Sequence, residues 1–341
     1  MNRSTTAIDP SLSRFLVAQR LADSAGAASW EPLTGGVSSD IWRVDVGTRT
    51  LCVKRALAQL KVSADWKAPV SRNAYEWAWM QFASQHCPDN VPTPLAHDEE
   101  AGLFAMSFLD PQQHPVWKQQ LLQGEVSSET AAEVGKLLGR VHAASAGRAD
   151  VAQAFETIDN FYALRLEPYL VATSLRHPAL APALLELVAM TAGTQHALVH
   201  GDVSPKNILV GPKGPVLLDA ECAWYGDPAF DLAFCLNHLL LKGAVVPSAR
   251  ISLGRAFSAM TAAYLQHVHW EHPDRLEARA ARLLPALLLA RVDGKSPVEY
   301  ITEEGRRSLV REVASALLRD PVNKLGTVES VWSGRVRHTL G

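Results

Sequence analysis

The chain of 341 residues is 48% hydrophobic and 20% charged, an ordinary globular composition with room for one large or two medium domains. Its formal net charge of −2 gives no electrostatic reason to expect a nucleic acid or an anionic membrane as partner, and its four cysteines form no CxxC pair. No signal-peptide core opens the sequence and no apolar run approaches the ~18 residues of a membrane span, so we expect a reduced, cytoplasmic location.

The first elements in the chain predict a helix followed by a small antiparallel sheet. Residues 1–29 show loose helical periodicity. After Trp30 the sequence indicates a strand, a glycine turn and a second strand, in which Trp42, Val44 and Val46 alternate onto one face. We therefore expect this second strand to cover a core with one face only.

The turn between these two strands is rich in glycine and serine. Gly35 and Gly36 let the backbone approach another group closely, and Ser38 and Ser39 offer hydroxyl and amide donors to it. Such a loop can hold phosphate groups. The alternative is an ordinary hairpin turn, which the pattern alone favours.

The next strand carries a lysine on the same face as a small side chain. In TLCVKRA, Cys52 and Lys54 share one face while Leu51 and Val53 share the other. The helix that follows places Glu76 among aromatic neighbours, where an unpaired carboxylate would be costly. We therefore predict an ion pair between Lys54 and Glu76. The alternatives are a solvated lysine at the sheet edge and a surface glutamate on the helix.

The middle of the chain changes from strands to helices. Glu99–Gly102 has turn chemistry, Leu103–Met106 forms an apolar strand, and the segment from Ser107 to Asp110 is a natural hinge. Beyond it, apolar residues repeat at helical spacing in AAEVGKLLGRVHAASA, LAPALLELVAM and RLLPALLLA. His142, within the first of these stripes, is interpreted as a packed core residue.

A hairpin near the centre of the chain gathers polar residues at its open end. Apolar runs at 208–210 and 216–218 flank a Gly-Pro-Lys-Gly turn, which brings Asn207 and Asp219 to within about one residue of register. An amide oxygen and a carboxylate suit Mg²⁺, which takes one or two protein carboxylates together with water and substrate phosphates. Asp202, five residues before Asn207, is placed to accept a proton near such a metal ion.

Three segments of this region, HGDVSPKNIL, LLDAE and GDPAFDLA, resemble the aminoglycoside phosphotransferase and choline kinase superfamily. The segments VKRAL, VPTPLAHDEE and PQQHPVWKQQLLQG, with DAECAWYGDPAFDLA, are similar to methylthioribose kinases in particular. The superfamily resemblance covers residues from about 30 to 240. It implies an α+β, bilobal protein-kinase-like fold, with an antiparallel sheet lobe at 1–108 that binds nucleotide and a mainly helical lobe at 109–341 that carries catalytic and acceptor sites.

The resemblance also implies roles for individual residues. ATP would lie between the lobes, with Lys54 on its phosphates, Glu76 orienting Lys54, and backbone groups of Ser107 and Phe108 near the adenine edge. Asp202 would deprotonate an acceptor hydroxyl for in-line attack on the γ-phosphorus. Mg²⁺ would bridge the phosphates to the end of the hairpin, at Asn207 and Asp219.

Four further residues of the segment have roles that the sequence leaves open or treats as structural. Glu221 shares a side with Asp219, so it supports the metal, binds an acceptor hydroxyl or has a structural role. Lys206 either neutralises the transferring phosphoryl group or is an ordinary surface lysine. His200 and Asp231 resemble the positions that brace the catalytic loop.

The acceptor is expected to be a small molecule, because Asp219 and Asp231 are too close in sequence for the long peptide-docking segment of a protein kinase. After Asp231 there are 15 Lys and Arg against 10 Asp and Glu, a balance of +5 that favours a neutral or anionic hydroxyl compound such as a sugar derivative. Residues 291–300 form either an acceptor loop or an ordinary helix connection. Two alternatives stay open: an aminoglycoside or choline/ethanolamine-type kinase, and a non-catalytic nucleotide-binding module.

Overall fold

The structure of the protein is a computed structural model that describes residues 9–33, 39–57 and 71–340. Gly35, Gly36 and Ser38 of the predicted phosphate loop lie outside the described residues. Ser39, the last residue of that prediction, is described and buried.

Five antiparallel strands form a sheet in the N-terminal part of the chain. They are β1 (Ala28–Leu33), β2 (Ser39–Val46), β3 (Arg49–Ala56), β4 (Pro94–Asp98) and β5 (Leu103–Ser107). Their order in the sheet is β1-β2-β3-β5-β4, and every neighbouring pair is antiparallel. Helix α1 (Pro10–Ala18) precedes the sheet, and α2 (Arg72–His86) separates β3 from β4 in the chain.

The alternation of side chains on β2 and β3 decides which face of the sheet is covered. Trp42, Val44, Leu51 and Val53 pack in one apolar cluster with residues of α1, as the sequence pattern predicts. Helix α1 begins at a proline and is capped by Asp9, whose carboxylate accepts a hydrogen bond from the backbone N–H two residues on, at 2.9 Å. The opposite face of β3 is thereby left to Cys52 and Lys54.

The rest of the described chain is mainly helical. Its helices are α3 (Trp117–Gln123), α4 (Ser128–Ser145), α5 (Ala149–Ala154), α6 (Ile158–Phe161), α7 (Ala172–Arg176), α8 (Ala181–Gly193), α9 (Ala229–Val245), α10 (Arg250–Leu265), α11 (Pro273–Asp293), α12 (Glu304–Arg319) and α13 (Leu325–Leu340). A π-helix, Tyr162–Val171, joins α6 to α7, and 3₁₀ turns cover Pro88–Asn90, Pro178–Leu180, Pro205–Asn207 and Pro247–Ala249. Four short strands, β6 (Ala197–Val199), β7 (Ile208–Gly211), β8 (Gly214–Leu217) and β9 (Trp224–Gly226), pair as β6 with β9 and β7 with β8.

Two apolar clusters hold these elements together. The smaller one lies between α1 and the N-terminal sheet, and the larger one surrounds α9 and α11. Helix α9 is buried on all sides over Ala229–Ala244, as expected of a helix at the centre of a core. Trp79 and Phe82 of α2 belong to the larger cluster, and Trp77 of the same helix stacks on His97 of β4. Helix α2 therefore packs against both the helical part and the N-terminal sheet. The division at residue 108 stays a prediction.

The hairpin of β7 and β8 has the predicted register. Ile208 pairs with Leu217, and the N–H of Leu218 donates to the carbonyl oxygen of Asn207 at 2.9 Å. Asp219, the next residue, is thus one position beyond Asn207, as expected from equal steps on either side of the turn. Among the residues that the structure describes, no helix has the length and apolar character needed to cross a membrane.

Candidate active site

A buried carboxylate at the start of α9 holds the loop that contains Asp202. Asp231 is fully buried and accepts hydrogen bonds from the backbone N–H groups of His200 at 2.7 Å and Gly201 at 2.9 Å. It also lies 3.2 Å from Nε2 of His142, whose Nδ1 contacts the Tyr264 hydroxyl at 2.8 Å. His142 is therefore a packed residue, as predicted, and it orients the carboxylate that fixes the loop.

His200 ties the same loop to the end of β8. Its Nδ1 accepts a hydrogen bond from the N–H of Asp202 at 3.2 Å, so the ring proton resides on Nε2 and is donated to the carbonyl oxygen of Leu218 at 3.1 Å. Burial lowers the pKa of His200, which keeps the ring neutral and preserves this donor–acceptor arrangement. His200 thus positions both Asp202 and Leu218, the residue before Asp219.

Gly201 is the one position in this loop where only glycine fits. Its φ is +79°, in the left-handed region, and a Cβ there would lie 2.6 Å from the carbonyl oxygen of Cys222. The loop can therefore approach the segment after Asp219 closely. A larger residue at this position would separate the loop from that segment.

Asp202 is surrounded by donors. Its Oδ2 lies 2.9 Å from Arg165, 3.2 Å from the Lys206 ammonium and 2.9 Å from Nδ2 of Asn207. Burial by itself would raise the pKa of Asp202, but Arg165 and Lys206 lower it below its ordinary value. The carboxylate is ionised and 3% exposed, and can accept a proton or a hydrogen bond from a hydroxyl group.

The sequence did not predict a role for Arg165. It lies in the π-helix, where it also donates to the carbonyl oxygens of Gly201 at 2.6 Å and Leu164 at 2.7 Å. The sequence did contain a signal for it: Arg165 lies between Leu164 and Leu166 in an apolar segment. A buried arginine requires a carboxylate or carbonyl partner, so this position could have been predicted to pair with one.

The predicted ion pair of Lys54 and Glu76 is present. The ammonium lies 2.8 and 2.7 Å from the two carboxylate oxygens, and it also contacts Oδ1 of Asp219. Burial alone would lower the pKa of Lys54, but Asp219 and Glu76 raise it, so the side chain stays charged. Burial raises the pKa of Glu76 to about 7 despite the opposing effect of Lys54. One lysine therefore links the sheet, α2 and the hairpin end.

Asp219 stands in a backbone conformation that few side chains adopt. Its φ is +70°, a left-handed value in which Asp and Asn are tolerated better than most residues. Burial opposes its ionisation, yet Lys54 and Lys206 lower the pKa of its carboxyl group far below the ordinary value. Asp219 is thus kept ionised and offers a charged oxygen beside the Lys54 ammonium.

Glu221 pairs with an arginine that the sequence did not single out. Its Oε2 accepts from Nε of Arg72 at 3.0 Å, and Arg72 also donates to the carbonyl oxygen of Leu57 at 2.5 Å. Burial, and then the charge of Asp219, raises the pKa of Glu221. The backbone of Glu221 is fixed as well, by the amide of Asn160 at 2.8 Å. These contacts favour the structural role among those that the sequence left open.

The predicted hinge is tied to the strand start beside it. The Ser107 N–H donates to the carbonyl oxygen of Thr93 at 2.9 Å, and the Thr93 N–H donates to Oγ of Ser107 at 2.9 Å. The Arg43 guanidinium lies 5.2 Å from the centre of the Phe108 ring. Contacts of Ser107 and Phe108 with a nucleotide stay a prediction.

A metal site made of protein groups alone is not found: within residues 9–33, 39–57 and 71–340, no three His, Cys, Asp or Glu side chains are arranged to hold an ion. Mg²⁺ does not require such a site, because nucleotide phosphates and water complete its coordination. The amide nitrogen of Asn207 donates to the carbonyl oxygen and Oδ2 of Asp202, at 3.1 and 2.9 Å, so its Oδ1 is the atom suited to a cation. With Asp219 this gives an amide oxygen and a charged carboxylate, a donor set that fits Mg²⁺.

Replacing Asp231 by Ala is expected to lower the free energy of unfolding by about 3–5 kcal/mol, because buried donors on His200, Gly201 and His142 lose their acceptor. Chemical denaturation followed by circular dichroism measures this loss. Asp231→Asn, which keeps one acceptor oxygen, is the matched control and should lose less. Equal stability of the Ala variant and the wild type would contradict the bracing role.

Comparison with known proteins places this geometry in a family. The sequence pattern of the Phosphotransferase enzyme family matches residues 29–265, more than half of the chain, and the protein belongs to this family. Methylthioribose kinase of Yersinia pseudotuberculosis is 26% identical over 234 residues, which cover 60% of this chain and 56% of that kinase. The chain therefore spans only about half the length of the curated relatives it matches.

Solved structures show the same fold. Ethanolamine kinase of Plasmodium vivax superposes with a TM-score of 0.60 at 12% identity, covering 94% of this chain and 92% of that protein. Choline kinase of Cryptosporidium parvum gives a TM-score of 0.56 at 11% identity, covering 94% and 100%. The predicted α+β kinase-like fold and the superfamily resemblance are confirmed.

Proposed function

We propose that this protein is an ATP- and Mg²⁺-dependent kinase that transfers the γ-phosphoryl group to a hydroxyl of a small metabolite. One observation carries the proposal: Asp202, Asn207 and Asp219 converge at the open end of the β7–β8 hairpin, where Asp219 meets the Lys54–Glu76 ion pair. The family match supports a phosphotransferase. A non-catalytic nucleotide-binding module is the weaker alternative, since it would not require Asp202 to be kept ionised.

The nucleotide is proposed to bind between the lobes at 1–108 and 109–341. Lys54 is charged and points from β3 toward Asp219, so it can contact phosphate oxygens while Glu76 keeps it in place. The hinge backbone at Ser107 and Phe108 is the proposed neighbour of the adenine. The glycine loop and Ser39 are the proposed cover of the phosphates, as the sequence predicts.

Asn207 and Asp219 are the residues that would hold Mg²⁺, which when bound neutralises phosphate charge. Asp219 remains ionised because Lys54 and Lys206 lower the pKa of its carboxyl group, and Asn207 is oriented by its two hydrogen bonds to Asp202. The sequence left Glu221 open as a support for the metal, a group that binds the acceptor or a structural residue. Its pairing with Arg72 supports the structural role, so we do not assign it to the metal.

Asp202 is proposed to accept the proton of the acceptor hydroxyl and to orient its oxygen toward the γ-phosphorus. Arg165 holds the carboxylate in position from within the protein. Lys206 lies 3.2 Å from the same carboxylate and is 48% exposed, so its ammonium can also reach the transferring phosphoryl group. The chain's own contribution is therefore positioning and charge neutralisation.

The acceptor class follows from the relatives and from charge. Methylthioribose kinase supports a sugar derivative, and the excess of Lys and Arg after Asp231 supports a neutral or anionic compound. The likeness to ethanolamine and choline kinases extends to the fold alone, so amino-alcohols and aminoglycosides are the second choice.

We expect the enzyme to act in the cytoplasm.

An assay of ADP release over a panel of sugars, thio- and deoxy-sugars, amino-alcohols and amino-sugars tests the proposal. The expected result is acceptor-dependent ADP formation that requires a divalent cation and yields a phosphorylated acceptor by mass spectrometry. Failure of ATP and ADP to raise the melting temperature would remove the proposed function.

Replacing Lys54 by Met is expected to lower kcat/KM for ATP by about 100-fold, because the phosphates lose a preorganised positive charge. The fold should survive: the pKa of Glu76 is already about 7, so its carboxyl group can take up a proton when Lys54 is removed. Steady-state kinetics with varied ATP measure the effect. Lys136→Met, which removes an exposed lysine paired with Glu133, is the control, and an unchanged kcat/KM for ATP in Lys54→Met would contradict the role.

A further inference from the structure

One stripe of the central helix leads away from the catalytic loop. Asp231, Phe234, His238 and Lys242 follow one another at spacings of three to four residues on α9 and so share a face. Asp231 holds the backbone of His200 and Gly201, which fixes this end of the stripe beside Asp202. At 1.5 Å per residue, the stripe reaches roughly 16 Å from Asp231 to Lys242.

The far end of this stripe contains buried polar atoms that lack a partner. Nζ of Lys242, Nε2 of His238, both amide atoms of Asn237 and Nε of Arg291 have no hydrogen-bond partner in the described part of the chain. The four side chains are between 0% and 9% exposed. An unpaired buried polar group costs free energy. His238 and Lys242 both contact Tyr300, and the charge of Arg291 acts on both, so these three side chains lie close together and are suited to bind a ligand.

Aromatic side chains connect these polar groups with one another. Nδ1 of His238 lies 3.3 Å from the Tyr300 hydroxyl, and Nζ of Lys242 lies 4.9 Å from the centre of the Tyr300 ring. Arg291, at the end of α11, donates to the Tyr169 hydroxyl at 2.9 Å. The segment 291–300, which the sequence left open as an acceptor loop, thus contributes two residues to this cluster.

The cluster is continuous with the residues that hold the catalytic base. The rings of Tyr169 and Phe234 lie 5.5 Å apart, and each has its centre 5.9 Å from the guanidinium carbon of Arg165. Arg165 in turn pairs with Asp202 at 2.9 Å. The unpartnered groups therefore belong to the same region as the proposed site of phosphoryl transfer.

The charge of this region is positive. Burial, followed by the charges of Arg291, Lys242, Lys206 and Lys118, lowers the pKa of His238 far below its ordinary value. Burial and Lys118 lower the pKa of Lys242 to about 7. The nearby carboxylate of Glu299 is paired with Lys118. An amine that loses its proton so readily lacks a counter-ion, and an anionic ligand would supply one.

We propose that the acceptor is a hydroxyl compound that also carries a carboxylate or phosphate group, and that this group binds among Lys242, His238 and Arg291. The inference rests on the proposed kinase function and specifies its substrate class. Anion binding would satisfy Nζ of Lys242 and Nε2 of His238 with charge-assisted hydrogen bonds. Cationic acceptors are disfavoured, because their charge would be buried beside like charges.

Compounds matched in skeleton and different in charge test this inference. Melting temperatures are measured in the presence of ADP and Mg²⁺ with D-glucose, D-glucosamine, D-glucuronate and glucose 6-phosphate, and with glycerol, 3-amino-1,2-propanediol, D-glycerate and glycerol 3-phosphate, at ionic strength equalised with NaCl. At least one anionic compound is expected to raise the melting temperature in a saturable manner, and the neutral and cationic compounds are not. The carboxylate and phosphate members show which anionic group is preferred.

Lys242→Met is the decisive variant. Met keeps the unbranched apolar stem and is one heavy atom shorter, and removal of a buried amine without a hydrogen-bond partner is expected to leave the unliganded melting temperature equal or higher. Binding of the anionic compound should weaken at least tenfold, while the shift caused by ADP is retained. Lys213→Met, which removes an exposed lysine paired with Asp89, should leave both unchanged.

The inference is overturned if no anionic compound binds the wild-type protein, if neutral or cationic counterparts bind as well, or if Lys242→Met binds the anion unchanged. A retained ADP shift in any of these cases means that only the substrate class is wrong. Loss of the ADP shift in the wild type would instead remove the proposed function, and the inference with it.

Discussion

Replacing Asp202 by Asn is expected to lower kcat at least ~1,000-fold while ATP binding is retained. The carboxylate is the only group assigned to take the acceptor proton, and loss of a general base together with its orienting hydrogen bond removes two contributions to the same step. Asn keeps the shape of the side chain and one oxygen that can accept hydrogen bonds. In the wild type, Asn207 and Arg165 each lie 2.9 Å from Oδ2 of Asp202. An Ala variant would leave the buried Arg165 charge uncompensated and confuse catalysis with stability.

Steady-state ADP release gives kcat for Asp202→Asn, and isothermal titration gives the affinity for ATP with Mg²⁺. Asp89→Asn, which removes an exposed carboxylate of the Asp89–Lys213 pair, serves as the control and should retain full activity. A kcat within threefold of the wild type would show that Asp202 is not the base.

Replacing Asp219 by Asn is expected to abolish turnover to a similar extent and also to weaken binding of the Mg²⁺–nucleotide complex. Asn tolerates the left-handed backbone at φ +70° as Asp does, so the substitution changes charge with little strain. It removes the carboxylate that the lowered pKa keeps ionised beside Lys54, and with it the charged oxygen donor of the site.

Titration of activity with Mg²⁺ and Mn²⁺ measures the weaker binding of the metal–nucleotide complex. The half-saturating cation concentration should rise at least tenfold in Asp219→Asn. Asp150→Asn, an exposed residue paired with Arg148, is the matched control. Unchanged cation dependence would exclude Asp219 as a ligand.

The residues at the hairpin end could be predicted because they are close in sequence. The turn between β7 and β8 and the equal steps on its two sides fix Asn207 relative to Asp219 without knowledge of the rest of the fold. The pairing of Lys54 with Glu76 spans a longer interval. It was predictable because a carboxylate amid aromatic side chains requires a partner.

The arginines of the site were missed because their partners come from distant segments. Arg165 in the π-helix meets Asp202, and Arg72 in α2 meets Glu221, contacts that only tertiary packing creates. Lys242 was missed for the same reason. A cation in the apolar run of α9 indicates a buried site, but the sequence does not show which elements surround it.

The central claim is most directly tested by a crystal structure of the protein with Mn²⁺ and a non-hydrolysable ATP analogue, in which anomalous scattering locates the metal. We expect a peak in contact with Oδ1 of Asn207 and the carboxylate of Asp219, with the nucleotide phosphates beside Lys54 and Asp202 facing the γ-phosphate. A metal bound elsewhere, or a nucleotide outside this cleft, would contradict it.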